Sequence, residues 1–228
     1  MTALIILTPL AATAATAPRL KSVNGHVMRA AAASQASSSA PTVAPANANW
    51  PTFHGNPQLT GVSHDTSISA SNAAQLGVRW MTHTFGPVLA SPVAHYSASL
   101  NKTLAYVANE KGFVEAVDTA DGSIVWSQSF GVPIHATPVV AAGHVWVGTA
   151  VSSRMIKLDA NTGKVLCQVS LGPGIDDASP VVASPPGGVT TLFIGVQDNG
   201  GVQGPMMAIN ESTCQVEWQK TPYPEFSG

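Results

Sequence analysis

The sequence predicts an all-β protein assembled from repeated four-stranded units, and three observations carry that reading. The first is the stretch Ala116-Val117-Asp118-Thr119-Ala120-Asp121-Gly122-Ser123-Ile124-Val125-Trp126, in which alternating apolar residues flank an Asp-Gly turn. That is the strongest short-range hairpin signal. It returns from Lys157 to Cys167 and, degraded, from Ala208 to Trp218, so that Asp118, Asp159 and Asn210 stand 41 and 51 residues apart. The second is an independent marker, Ala90-Ser91-Pro92, Ala136-Thr137-Pro138 and Ala178-Ser179-Pro180, at intervals of 46 and 42 residues. The third is that no stretch carries a helical apolar period. Two markers keeping step at about 40–50 residues, in strands alone, read as blades of a β-propeller.

Composition narrows the partners. Only 22 of the 228 residues are Asp, Glu, Lys or Arg, and the net charge is −2. There is no basic surplus for nucleic acid and no polybasic patch for a membrane surface.

Taken in order, the chain opens with an uncharged, mostly apolar run, Thr2 to Ala14, followed by Ala15-Thr16-Ala17. The run is too short to span a membrane and fits the apolar core and Ala-x-Ala site of a secretory signal, although a basic leader is missing. We read 1–17 as a signal peptide, the alternative being an apolar tail. From 18 to 49 the Ala, Ser, Pro and Thr content reads as a disordered linker. A partial propeller is expected over 50–228. Leu76 to Met81 is expected as a lone outer strand.

Three blades should follow. The first takes 90–94, 103–108, 113–118 and 123–130. The second takes 136–141, 144–149, 155–159 and 164–171, and the third 178–183, 190–196, 205–210 and 215–220. Three blades cannot close a ring, since propellers take four to eight. The expectation is therefore a fragment of a seven- or eight-bladed ring, ending at Glu225-Phe226-Ser227-Gly228 in a loop towards a further blade.

The pattern Ala-x-Asp-x-x-Thr-Gly-x-x-x-Trp resembles the tryptophan-docking motif of the pyrroloquinoline quinone (PQQ) repeat family. Ala116 to Trp126 matches except at Asp121. The second copy departs at Lys157 and Cys167, and the third has Asn210 and Cys214 where Asp and Gly stand in the family. The likeness covers Trp50 to Trp218 and includes the entry segment Trp50-Pro51-Thr52-Phe53-His54-Gly55-Asn56-Pro57. The family holds both quinoprotein dehydrogenases and non-catalytic propellers such as the outer-membrane assembly lipoprotein, so it fixes the fold more firmly than the function.

The resemblance assigns docking roles to Trp126, Gly163 and Trp218. In the family each motif Trp stacks near the motif Gly of the next blade. Cys167 holds a Trp place and Cys214 the following Gly place, so the two should face each other and form a disulfide. The alternative is a pair of unbonded buried thiols.

The loops before each innermost strand, and those between second and third strands, share one face of a propeller around its channel. The first set places His135 and Asp177 at equivalent positions, with Asp176 adjacent and Leu89 their counterpart. The second contributes Asn109, Glu110 and Lys111, then Ser152, Ser153 and Arg154, then Gln197, Asp198 and Asn199. A His beside carboxylates can make a general base, a metal site or a polar rim, and solvated loop polarity is the plainer alternative. Asp159-Ala160-Asn161-Thr162-Gly163 starts like a calcium loop, but Ser170 stands where the ligating Glu belongs, and an Asx-turn explains it better.

Two functions stay open. One is an exported propeller that binds a protein or a surface polymer and acts in the periplasm, at the cell surface or after secretion. The other, implied by resemblance, is a dehydrogenase that oxidises an alcohol or sugar with PQQ and calcium. The adjacent cysteine pair of those enzymes and a Cys-x-x-Cys-His haem motif are missing, which favours the binding propeller.

Overall fold

The computed structural model describes residues 3–9, 49–172, 178–196 and 204–221. Within them the chain is β-structure with a single turn of 3-10 helix, Ala73–Gln75. Most of it forms three antiparallel four-stranded sheets, each laid down in chain order. The first holds β3 (Val93–Ser97), β4 (Lys102–Ala108), β5 (Phe113–Asp118) and β6 (Ile124–Ser129). The second holds β7 (Val139–Ala141), β8 (His144–Gly148), β9 (Arg154–Asp159) and β10 (Val165–Ser170). The third holds β11 (Val181–Ala183), β12 (Thr191–Gly195), β13 (Met206–Asn210) and β14 (Val216–Lys220).

The innermost strands β3, β7 and β11 begin three residues later than the alternation of apolar residues suggests. The cause is the Ala-Ser/Thr-Pro marker itself. Proline brings no N–H to a ladder, and the residue before it spends its N–H elsewhere. Ser91 N–H donates to Thr137 Oγ1 at 3.2 Å, and Thr137 N–H donates to Ser179 Oγ at 3.0 Å. The markers thus form a ladder from blade to blade in place of three more residues of strand.

Each outer hairpin is organised by the Asx residue that opens its turn. Asp118 Oδ1 accepts from Ala120 N–H at 2.9 Å. Asp159 Oδ1 accepts from Asn161 N–H and Thr162 N–H, and Asn210 Oδ1 from Ser212 N–H and Thr213 N–H. These are Asx-turns. The loop is longer than a two-residue hairpin, because Gly122 N–H and Gly163 N–H reach back to the carbonyls of Asp118 and Asp159. A β-bulge falls at the same repeat position in all three hairpins, which swings the fourth strand outwards.

The core lies between blades. One layer joins Tyr106, Val114, Ala116 and Trp126 of the first blade to Val145, Val147, Ile156 and Leu158 of the second. The other joins Val139, Trp146 and Met155 of the second to Leu192, Ile194, Met207 and Ile209 of the third. The middle blade is therefore apolar on both faces, as a sheet between two sheets must be.

Two segments complete the body. The entry segment runs along the inner edge of the first two blades: Trp50 and Ala94 exchange both backbone hydrogen bonds, and Val140 N–H donates to Pro51 O at 2.7 Å. The strand expected to stand alone, β2 (Leu76–His83), instead pairs antiparallel with β1 (Ala3–Pro9). An edge strand offers unpaired N–H and C=O groups to any extended apolar segment. An uncharged, mostly apolar run of seven residues fits a strand as well as a signal core, and periodicity alone cannot separate such short runs.

Candidate functional site

Backbone hydrogen bonds define the two faces of the blade array. Glu110 N–H donates to Pro87 O and Ala150 N–H to Pro133 O, both at 2.9 Å, so the loops between second and third strands lie against the loops that lead into the inner strands. The opposite face is tied by Thr119 N–H to Thr103 O and by Ala160 N–H to Gly143 O.

On the first of these faces a shallow funnel of about 530 Å³ opens over the inner strands, lined by Leu89, Ala90, Ser91, His135, Thr137 and Ser179, with Phe53 from the entry segment. The interblade ladder runs through this wall, with the Thr137 and Ser179 hydroxyls accepting from the backbone N–H groups of Ser91 and Thr137. Leu89 is 67% exposed. The imidazole Nε2 of His135 lies 3.2 Å from Glu110 Oε1, which joins the two loop sets across the first and second blades. The funnel can therefore offer a guest one acid–base pair, a row of hydroxyls and an apolar lip.

The other sequence candidates divide. Lys111 is exposed beside the funnel loops, and its backbone N–H is held by Asn109 Oδ1 at 3.0 Å. Asn109 is fully buried and serves structure, since its Oδ1 also takes Phe113 N–H and its Nδ2 donates to Glu115. Arg154 turns away to Gln168, with Nη1 3.2 Å from Oε1. Both line a separate cleft of about 140 Å³ with Phe130, Val132, Thr149 and Ser152. Asp176, Asp177, Gln197, Asp198 and Asn199 lie outside the described residues.

Beneath the rim sits a carboxylate that the sequence did not single out. Glu115 is fully buried, and burial pushes its carboxyl above the usual range against hydrogen bonds from Phe85 N–H and Asn109. Its alternation with Val114 and Ala116 places it on the blade face opposite to Trp126.

The blade junctions are built by one device. Trp80 donates its indole N–H to Thr119 O at 2.9 Å, and Trp126 donates to Ala160 O at 2.9 Å. A Cβ on Gly122 would stand 2.6 Å from Trp80 Cε3, and a Cβ on Gly163 would stand 2.6 Å from Trp126 Cε3. At the third junction the place of Trp is Cys167 and that of Gly is Cys214, and the two are joined in a disulfide with Cα atoms 6.6 Å apart. Trp218 packs on Phe193 with ring centroids 6.0 Å apart and is 38% exposed. Trp80 was legible as part of an outer strand. Its role was signalled by its distance of 46 residues from Trp126, a blade interval.

No curated protein matches the chain in sequence. Its fold matches that of the quinohemoprotein alcohol dehydrogenase of Comamonas testosteroni, with a TM-score of 0.61 and 23% identity over 76% of this chain and 27% of that one. A europium-containing methanol dehydrogenase gives 0.60 and 21%, over 76% of this chain and 32% of that one. BamB of Moraxella catarrhalis gives 0.48 and 19%, over 63% and 40%. The chain thus spans well under half the length of these structures. The family model described as outer membrane protein assembly factor BamB matches residues 64–225, and the chain belongs to that family of PQQ-like repeat propellers.

Proposed function

We propose that this chain is part of an exported propeller that acts as a binding or scaffold module, taking a protein or surface polymer at the funnel face. The observation that carries the reading is the funnel itself: an apolar lip at Leu89, a wall lined by Ser91, Thr137 and Ser179, and the His135–Glu110 pair. Exposed Phe85 and Val151, on the loops of the same face, extend the apolar surface. Scattered apolar residues are ordinary, but apolar side chains gathered around a polar centre suit a partner surface. The disulfide suits an oxidising compartment, and no helix among the described residues is long and apolar enough to cross a membrane.

The described residues do not supply the fit for a PQQ–calcium centre. Among them no three His, Cys, Asp or Glu side chains cluster to hold a cation, and the acid at the funnel, Glu110, is engaged with His135. The test uses the full-length exported protein with PQQ and calcium, in a calorimetric titration run beside dye-linked alcohol oxidation. The binding reading expects neither saturable heat nor dye reduction. Saturable binding with turnover would overturn it in favour of the dehydrogenase.

A further inference from the structure

The third blade junction departs from the other two by a set of linked changes. Where Trp126 would stand is Cys167, and its cross-strand partner, Ala116 in the first blade, is here Lys157. Lys157 is 4% exposed, and its ammonium donates to Glu211 O at 2.5 Å. That carbonyl is the counterpart of Ala160 O, the acceptor for the Trp126 indole. Lysine therefore takes over the hydrogen bond that tryptophan makes elsewhere. Its charge is met by Glu211 Oε1 at 3.0 Å, and the same oxygen lies 2.7 Å from His144 Nδ1. Cys214 keeps a positive φ of 60°, like the glycines it replaces, in a conformation strained for any other residue.

These changes exchange apolar burial for something weaker. A docked indole buries a large apolar area, whereas a buried ion pair roughly breaks even against its desolvation. Without the sulfur–sulfur bond, the motif site keeps a buried ion pair and a strained turn where the other junctions have a docked indole, beside the apolar layer of Trp146 and Met155.

We infer that the junction of blades two and three is a redox latch: the Cys167–Cys214 disulfide holds blade three in place, and its reduction releases that blade while blades one and two stay docked through Trp126 and Gly163. The step is thiol–disulfide exchange with a dithiol reductant. The dithiol gives two electrons and two protons, the S–S bond breaks into two thiols, and the dithiol becomes its own disulfide. The latch closes only where the compartment is oxidising.

Hydrogen exchange followed by mass spectrometry, on the full chain with and without dithiothreitol, tests this directly. Reduction is expected to speed exchange in β11–β14 at least tenfold and to leave β4, β5 and β8 unchanged. The variant Cys167→Trp/Cys214→Gly/Lys157→Ala restores the tryptophan device and is expected to exchange alike in both conditions. Unchanged protection of β11–β14 on reduction would overturn the latch, and so would loss of protection in all three blades together. The wild-type comparison decides even where the triple variant does not fold.

Discussion

Trp126 packs against Gly163 so closely that a Cβ at 163 would stand 2.6 Å from Cε3 and 2.7 Å from Cδ2 of the indole. The backbone there is left-handed, with φ of 70°. Two independent demands thus fall on one residue. Gly163→Ala should cost about 1–2 kcal/mol for the left-handed backbone and about 1–3 kcal/mol for overpacking. Urea unfolding of the full chain checks it, with a loss of about 2–5 kcal/mol expected. A loss of only about 1–2 kcal/mol, the backbone cost alone, would mean that the indole simply moves aside.

Trp80 should matter to β2 as Trp126 matters to the first blade. It is 9% exposed and holds Thr119 O, while Thr82 Oγ1 donates to Gly122 O nearby. Trp80→Ala should cost about 3–5 kcal/mol, as deletion of a buried aromatic does. Trp80→Phe, which keeps most of the area and drops one hydrogen bond, should cost nearer about 1 kcal/mol. Equal losses in the two variants would place the stabilisation in the hydrogen bond and not in the packing.

Two buried acids should respond to pH in opposite senses. Burial pushes Glu115 above its ordinary value of 4.5, so its folded pKa exceeds its unfolded one, and its contribution is present at low pH and lost as pH rises through the folded value. Burial also pushes Glu211 up, but hydrogen bonds from Lys157 and His144 outweigh it and leave the carboxyl lowered. Its contribution is present above the unfolded value and lost as pH falls below about 4.5. The groups that face it are Lys157 and His144, with Asp159 beyond His144. Thermal unfolding from pH 3 to 8 separates the cases. Glu115→Gln should raise Tm at neutral pH and make little difference in acid. Glu211→Gln should lower Tm at neutral pH, with the gap narrowing in acid. A pH-independent gap in either variant would assign the effect to packing.

The hydroxyl ladder makes its own demand. Thr137 is 4% exposed, and its Oγ1 receives Ser91 N–H. Thr137→Val keeps the shape and strands that N–H, at about 1–3 kcal/mol, whereas Thr137→Ser retains the acceptor. Matching midpoints for the two variants in urea would show that water satisfies Ser91.

Much of the architecture was legible in the chain because it repeats. The Asx-turn, the residue at positive φ (glycine in the first two blades, Cys214 in the third) and the bulged hairpin recur in every blade, and local chemistry shapes each of them. The inner strands were less legible. Alternation in Ala90–Ala94 looks like a strand, but proline and the pull of the neighbouring hydroxyl shorten it, and that neighbour is a blade away. The same limit hid Phe53 and Glu115. Phe53 reaches the funnel only because the entry segment lies along β3, and Glu115 hides in a strand whose apolar neighbours mask it. Leu89 and His135 stood out because they precede the marker at one equivalent position. Lys157 looked like a lapse in the motif, and its sense appears only when Glu211 is brought to it.

The last prediction separates binding from stability at the funnel. His135 is half-buried and pairs with Glu110, itself partly exposed; exposed pairs contribute little to folding, about 0–1 kcal/mol. His135→Ala should therefore leave the urea midpoint nearly unchanged. If the funnel is the partner site, its effect must appear in binding. A photo-crosslinking residue placed at Leu89 in the full-length exported protein should give a discrete adduct. The same probe at Asn101, in the β3–β4 turn on the opposite face, should give none. His135→Ala should reduce the Leu89 adduct severalfold, since removing a central polar contact from a desolvated site costs about 1–3 kcal/mol. An adduct of equal yield at both positions would detach the partner from this face. An adduct at Leu89 indifferent to His135 would keep the face and leave the imidazole as part of its solvated rim.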